Sequence, residues 1–155
     1  MTTQNNYAGF WLRFVAFLID SIILSLVNFI LVTPLIGFLG ISAASGDYSP
    51  LSSDVGIATM IAGFAVTYVA IFVAGWLYFA IMESNSKQGT LGKIIVGLKV
   101  SDIDGNRISF GKATGRYFGK IVSTFILCIG YFMAGFTEKK QALHDIMAGC
   151  LVVKK

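Results

Sequence analysis

The chain has 155 residues, 55% of them apolar and 13% charged, with a net charge of +4, and its mean hydropathy is +0.76. Soluble domains carry about 25% charged residues, so a water-facing surface could not be covered here and the bilayer is the expected solvent. The positive balance does not imply a nucleic-acid partner. No Lys or Arg falls between Arg13 and Lys87, whereas six occur from Lys87 to Arg116, which is the asymmetry that membrane orientation produces.

The head Met1–Tyr7 is polar and uncharged, and the apolar stretch Phe14–Leu39 is far longer than a signal-peptide core. The first segment, Gly9 to Leu39, is therefore expected to remain and to span. Pro34 is expected to kink or end it. Gly40 to Gly56 is rich in Ser and Gly, holds Asp47, Pro50 and Asp54 but no cation, and belongs outside the cytoplasm. The second segment, Ile57 to Met82, is uninterrupted. Ala58, Ala62, Ala70 and Ala74 recur along it as a stripe that suits either a close helix neighbour or lipid. Trp76, Tyr78 and Phe79 mark its cytoplasmic interface.

Glu83 to Gly111 is cationic, hence cytoplasmic. Within it the short apolar run Thr90–Val96 carries Lys93 and suits the headgroup layer. Asp104-Gly105, between two β-prone stretches, predicts a hairpin over Leu98–Ile108. In Ser109–Phe136, the cations Lys112, Arg116 and Lys120 are four apart and form one stripe, expected to be a solvated or phosphate-facing edge. The purely apolar part, Ile121–Phe136, makes roughly 24 Å of helix, short for a hydrocarbon core of roughly 30 Å. A re-entrant hairpin breaking near Gly130 is favoured over a third crossing, and it would leave the C-terminus in the cytoplasm. The expected fold is an all-α integral membrane protein with two long transmembrane helices, a third short re-entrant or bent hydrophobic region, and a small cytoplasmic β-hairpin. All of it forms one domain over residues 1–155.

Function should lie in the few intramembrane charges. Residues seven apart on a helix are offset by about 20°, so Arg13 and Asp20 share a face, with Ser21 and Asn28 near it. Arg13 can snorkel; Asp20, about 10 Å further along, must be paired, hydrated or protonated. It is either an ion or proton site or a lock between helices. Asp145 suits a helix cap or a cation partner. His144 beside it reads as an ordinary exposed histidine, with a proton relay as the alternative. Glu83, Arg116, His144 and Asn28 are accessory candidates.

Several chemistries fail. Gly92-Lys93 lacks the first glycine of a phosphate-binding loop and is followed by Ile94 in place of Ser or Thr. Asp102, Asp104 and Asn106 begin like a calcium loop, but Arg107 stands where glycine is required. Cys128 and Cys150 have no metal-binding or disulfide spacing, and His144 is the only histidine. No catalytic set, metal or cofactor is expected.

The elements Gly9-Phe10-Trp11-Leu12-Arg13-Phe14 with Asp20, Thr90-Leu91-Gly92-Lys93, Gly97-Leu98-Lys99-Val100, Asp104-Gly105, Arg116, and Leu143-His144-Asp145 with Ala148-Gly149 occur in this order. Together they resemble the RDD family of bacterial membrane proteins, named for an arginine and two aspartates. The resemblance maps the arginine to Arg13 and the aspartates to Asp20 and Asp145. Cys150 stands where the family usually has Thr, which bears on a local hydrogen bond. The resemblance implies a multi-pass protein of the bacterial cytoplasmic (inner) membrane. Some relatives exchange Na⁺ or Li⁺ for protons, and others are accessory domains.

Two functions follow. One is a homo-oligomeric exchanger of monovalent cations and protons, in which Asp20 binds the cation or proton, Arg13 sets its charge and Asp145 lines the mouth. The other is a non-catalytic membrane scaffold or accessory subunit of unknown partner, held together by the same residues; the lipid bilayer is a partner in either case. If Arg13 binds Asp145, Asp20 is left as the titrating group.

The charge distribution makes the orientation testable. Single cysteines placed at Ser45 and Ser101 should label from opposite sides of the membrane in intact cells, and labelling from one side overturns the assignment.

Overall fold

The computed structural model describes residues 6–46, 52–125 and 129–155. Asp47, Pro50 and Cys128 lie outside the described residues. In order come α1 (Phe10–Ala44), α2 (Asp54–Ser84), α3 (Leu91–Ile95), β1 (Leu98–Asp102), α4 (Phe110–Phe125), α5 (Ile129–Phe136), α6 (Leu143–Met147) and β2 (Cys150–Lys154). The chain forms two compact units, one of residues 22–75 and one of residues 1–21 with 76–155.

Both long helices are apolar enough to cross a membrane. At 35 and 31 residues they reach about 52 and 46 Å, well beyond the hydrocarbon thickness. In the unit of residues 22–75 the helix surfaces are apolar and open, with Phe29, Ile30, Ile61 and Val66 all largely exposed, as expected where lipid replaces water. Pro34 does not end α1, which continues for ten more residues to Ala44. The neighbouring Thr33 hydroxyl donates to the Phe29 carbonyl at 2.6 Å. Gly63 faces the Leu35 side chain, where an added Cβ would make an ordinary contact at 3.4 Å. Ala58, Ala62 and Ala70 are exposed instead.

The other unit is built on a small antiparallel sheet. β1 pairs with β2 in the register Leu98↔Lys154, Val100↔Val152 and Asp102↔Cys150. The N-terminus joins the opposite edge of β2, through Ala8 N to Val152 O at 2.9 Å, Lys154 N to Asn6 O at 2.8 Å and a bridge between Tyr7 and Val153. Leu98, Val100, Cys150 and Val152 are buried in its core with Ala8, Ala16, Ala80, Ile108 and Ala113. The Cys150 thiol donates to the Ala148 carbonyl at 3.3 Å, supplying a local bond where the resemblance suggested Thr.

The expected hairpin is only a turn. Gly105 is at φ +81° and Asp102 N donates to Asn106 O at 2.8 Å, but no strand follows. The outward edge of β1 is taken, because Val100 N donates to the Gln88 carbonyl at 2.6 Å and the Gln88 amide donates to Val100 O at 3.2 Å. Ile108 turns into the core instead. The strand partner of β1 is therefore the end of the chain.

The third apolar region is bent. α4 and α5 meet at 98°, with α5 beginning at Ile129. They pack so closely that a Cβ on Gly130 would lie 2.8 Å from the Ser123 side chain, and the Tyr131 hydroxyl donates to the Lys120 carbonyl at 3.1 Å. Because β1 precedes α4 and β2 follows α5, the pairing of the two strands returns the chain to the side from which α4 departs.

Candidate functional site

The unit that holds the sheet also holds a cluster of buried charges. α1 supplies Arg13 and Asp20, α2 supplies Tyr78 and Glu83, α3 supplies Lys93, α4 supplies Arg116 and Lys120, and α6 supplies His144 and Asp145.

Asp20 is 2% exposed and its carboxylate accepts from neutral donors. Tyr78 Oη donates to Oδ1 at 2.8 Å, Gly92 N to the same oxygen at 2.8 Å, and Thr90 Oγ1 to Oδ2 at 2.6 Å. Thr90 also caps α3, accepting from Lys93 N, while Tyr78 accepts from Leu91 N at 3.1 Å. The turn Thr90-Leu91-Gly92-Lys93 is thus fastened to α1 through Asp20. Glycine is required there, since a Cβ at position 92 would fall 2.1 Å from the Ala16 carbonyl oxygen and 2.9 Å from Asp20 Cγ.

The second group is ionic. Glu83 Oε1 binds Lys93 Nζ at 2.6 Å, with Lys120 Nζ at 3.7 Å, and Glu83 Oε2 faces Arg116 Nη1 at 3.3 Å. Arg116, 1% exposed, bridges to Asp145, its Nη2 lying 2.7 Å from Oδ1 at an angle that makes an ion pair rather than a directed hydrogen bond. Arg13 binds Asp145 Oδ2 from the other side. The same oxygen accepts from Ala142 N at 3.2 Å, the carboxylate half of a capping box. Arg13 Nε and Nη2 donate to the carbonyls of Ala8 at 3.0 Å and Lys140 at 2.6 Å.

Three expectations change. Arg116 and Lys120 do not form a solvated edge. Only Lys112 of that stripe is substantially open, paired with the likewise accessible Asp102, because the acids of α2 and α6 draw the other two inward. Lys93 does not lie along the headgroups: α3 turns it toward Glu83 and shows Leu91 and Ile95 outward. His144 is buried beneath Tyr131, ring centres 5.3 Å apart, with Nε2 3.4 Å from Asp145 Oδ1. Asp20, expected to need another partner, water or a proton once Arg13 binds Asp145, finds three protein donors. Asn28 belongs to the other unit and is half-buried there.

Glu83, an accessory candidate just beyond the apolar run, is a central buried acid, and Lys93 and Lys120, not named as site residues, join it. Their signal was their own placement, since a lone cation inside or beside an apolar run requires a buried partner. Tyr78 carried no such signal among so many interfacial aromatics.

These features define a class, a polytopic membrane protein whose first helix is closed by a Thr-Leu-Gly-Lys turn on one aspartate and by a distant aspartate on its arginine. Residues 7–149 match the RDD family, and the chain belongs to it. It is similar to the "Uncharacterized protein YxaI" of Bacillus subtilis (strain 168), 38% identical over 148 residues that make up 96% of this chain and 97% of that protein. It is also similar to the "Uncharacterized membrane protein YteJ" of the same organism, 35% identical over 153 residues, 95% of this chain and 80% of that one. No solved structure matches.

Two predictions follow from this geometry. Gly92→Ala forces the backbone of α1 apart from α3, so the yield of folded protein in detergent should drop at least as far as with Asp20→Ala, which strands three buried donors at about 1–3 kcal/mol each. A Gly92→Ala protein with the wild-type unfolding midpoint would refute the close packing.

The second concerns pH. Burial pushes the His144 imidazole down to about 3 from 6.5, against the pull of Asp145 and with the help of Arg116, Lys120 and Lys93. Burial alone would raise the Asp145 carboxyl, but Arg116 and Arg13 hold it well below the usual carboxylate range. The unfolded chain therefore binds more protons than the folded one below about 6.5 at His144, and below about 4 at Asp145. Both groups make stability fall with falling pH. The unfolding temperature in detergent should decline between about pH 6.5 and 4, and His144→Gln should flatten that part of the profile.

Proposed function

We propose that the chain is a non-enzymatic scaffold or accessory protein of the bacterial cytoplasmic membrane. Its N-terminus, the segment 85–109 and its C-terminus face the cytoplasm, following the Lys and Arg distribution. One observation carries this reading: each carboxylate of the cluster is engaged by protein donors. Asp20 has three neutral donors, Glu83 has three cations, and Asp145 has two arginines and a backbone amide. A sodium ion entering such a site would have to displace a cation or a short hydrogen bond. The cluster is thus suited to holding α1, α2, α4 and α6 in a fixed arrangement, presenting one cytoplasmic face to a partner.

Exchange of monovalent cations for protons is the second reading, favoured by Lys93. Its burial first, and the neighbouring Arg116 next, push its ammonium down to about 7. Loss of that proton near neutral pH would open one side of Glu83 to a cation. Two long membrane helices and one short bent region enclose little, so such a pathway would need several copies.

Proton-coupled Na⁺ or Li⁺ flux in proteoliposomes separates the two. The scaffold reading expects wild-type flux no greater than that of empty liposomes, with Asp20→Asn lowering folded yield only. Flux present in the wild type and abolished by a folded Glu83→Gln protein overturns it in favour of exchange.

A further inference from the structure

A cavity of about 470 Å³ opens against the charge cluster. A water molecule's share of volume is about 30 Å³, so the space is far larger than a dehydrated ion or a proton relay requires. It falls in the range of small-ligand sites.

Its lining has two chemistries. Arg13, Lys93, Arg116 and Lys120 reach it from the cluster side. Phe14, Phe17 and Phe132 line it as well, and each is 41–57% exposed, so the outer part of the cavity is continuous with the apolar surface. A small hydrated anion gains nothing from an aromatic entrance. An acyl chain does.

The charge balance is also one-sided. The four cations are set against three carboxylates, Asp20, Glu83 and Asp145, and Asp20 is bound by neutral donors. With Lys93 protonated, four minus three leaves one net positive charge. Lys120 is the least neutralised of the cations, 3.7 Å from Glu83 and held over the Phe79 ring at 3.8 Å. One buried donor of a lining residue, Arg116 Nε, has no hydrogen-bond partner among the described residues, nor do the acceptors His144 Nδ1 and Asp145 Oδ1. His144 is 4% exposed and Arg116 1%, so the polar end of the cavity is closed by deeply buried side chains, with Lys120 the most loosely paired cation beside them.

We propose that this cavity is a binding site for an acidic phospholipid, entering between Phe14, Phe17 and Phe132 with its phosphate diester directed at Lys120 and Arg116. A diester carries one negative charge, matching the surplus, and its oxygens can accept from guanidinium nitrogens. The acyl chain replaces lipid contact on the aromatic rim. A zwitterionic lipid would bring an ammonium toward the same cations and bind less well. The proposal is independent of the scaffold reading, which ion flux tests, because a lipid can occupy the site in either case.

The purified full-length protein in a neutral detergent is titrated with phosphatidylglycerol, phosphatidylcholine and inorganic phosphate, and binding is read by native mass spectrometry and by the shift in unfolding temperature. Phosphatidylglycerol should bind and stabilise. Lys120→Met should weaken it about fivefold, the loss expected for one lysine facing an anionic lipid. Phe132→Trp, which fills the open rim without touching the charges, should weaken it to a similar degree while unfolding at the wild-type temperature without lipid. Equal binding of phosphatidylcholine, or undiminished binding in both variants, overturns the proposal. Inorganic phosphate competing as well as the lipid would instead make this a soluble-anion site, and the lipid assignment would fall.

Discussion

Arg116 is the residue around which the described charges are arranged. A guanidinium 1% exposed among membrane helices has a desolvation cost of several kcal/mol unless carboxylates face it directly. Two do, Glu83 from α2 and Asp145 from α6. Each of those acids in turn recruits a further cation, Lys93 for one and Arg13 for the other. The result ties α1, α2, α3, α4 and α6 to a single side chain. Removing any member leaves a buried charge uncompensated, typically a loss of 3–5 kcal/mol. Such a cluster tolerates little rearrangement, and the rest of this unit is organised to hold it in place.

The sheet and the bent region serve that end together. A region like α4–α5, whose backbone breaks, is tolerable beside lipid only when protein covers its freed polar groups. Ser123 and Thr124 return their hydroxyls to the carbonyls of Gly119 and Lys120, and Tyr131 caps Lys120 again from α5. The chain then reaches α6 and β2, and β2 closes between β1 and residues 6–8. Both termini are therefore held in one sheet, and Asp145, a few residues before β2, is delivered to Arg13, a few residues after the N-terminal bridge. The strand pairing sets the distance over which the salt bridge must act.

Much of this was legible in the sequence, and the rest was hidden for identifiable reasons. The two spans followed from hydropathy and the bend from the shortness of Ile121–Phe136. The Arg13–Asp145 contact followed once the chain was expected to return to its starting side. The Arg116 stripe was misread because four-residue spacing reports a shared helix face and not what that face meets. Glu83, one residue beyond the apolar run, looked like the start of a solvated loop. The hairpin failed for a tertiary reason, since Asp104-Gly105 does make its turn, but Gln88 occupies the edge that the returning strand would need. No local pattern encodes that competition.

The family's three signature residues divide into two physical roles, which explains why the residue types are what they are. Asp20 meets a hydroxyl from Thr90, a phenol from Tyr78 and the amide of Gly92, so its role is to receive neutral donors from a turn, and the glycine lets that turn come close enough. Arg13 uses three nitrogens on three acceptors, the Asp145 carboxylate and the carbonyls of Ala8 and Lys140. Those acceptors belong to the N-terminal segment beside β2, the approach to α6 and α6 itself. A lysine has one nitrogen on a flexible stem and could satisfy the carboxylate, but it could not hold all three acceptors in the fixed fork of a guanidinium. Asp145, in turn, also serves the start of its own helix, because its Oδ2 accepts from Ala142 N three residues earlier. The arginine thus joins three pieces of backbone that the helices alone leave unconnected, and the first aspartate joins a fourth.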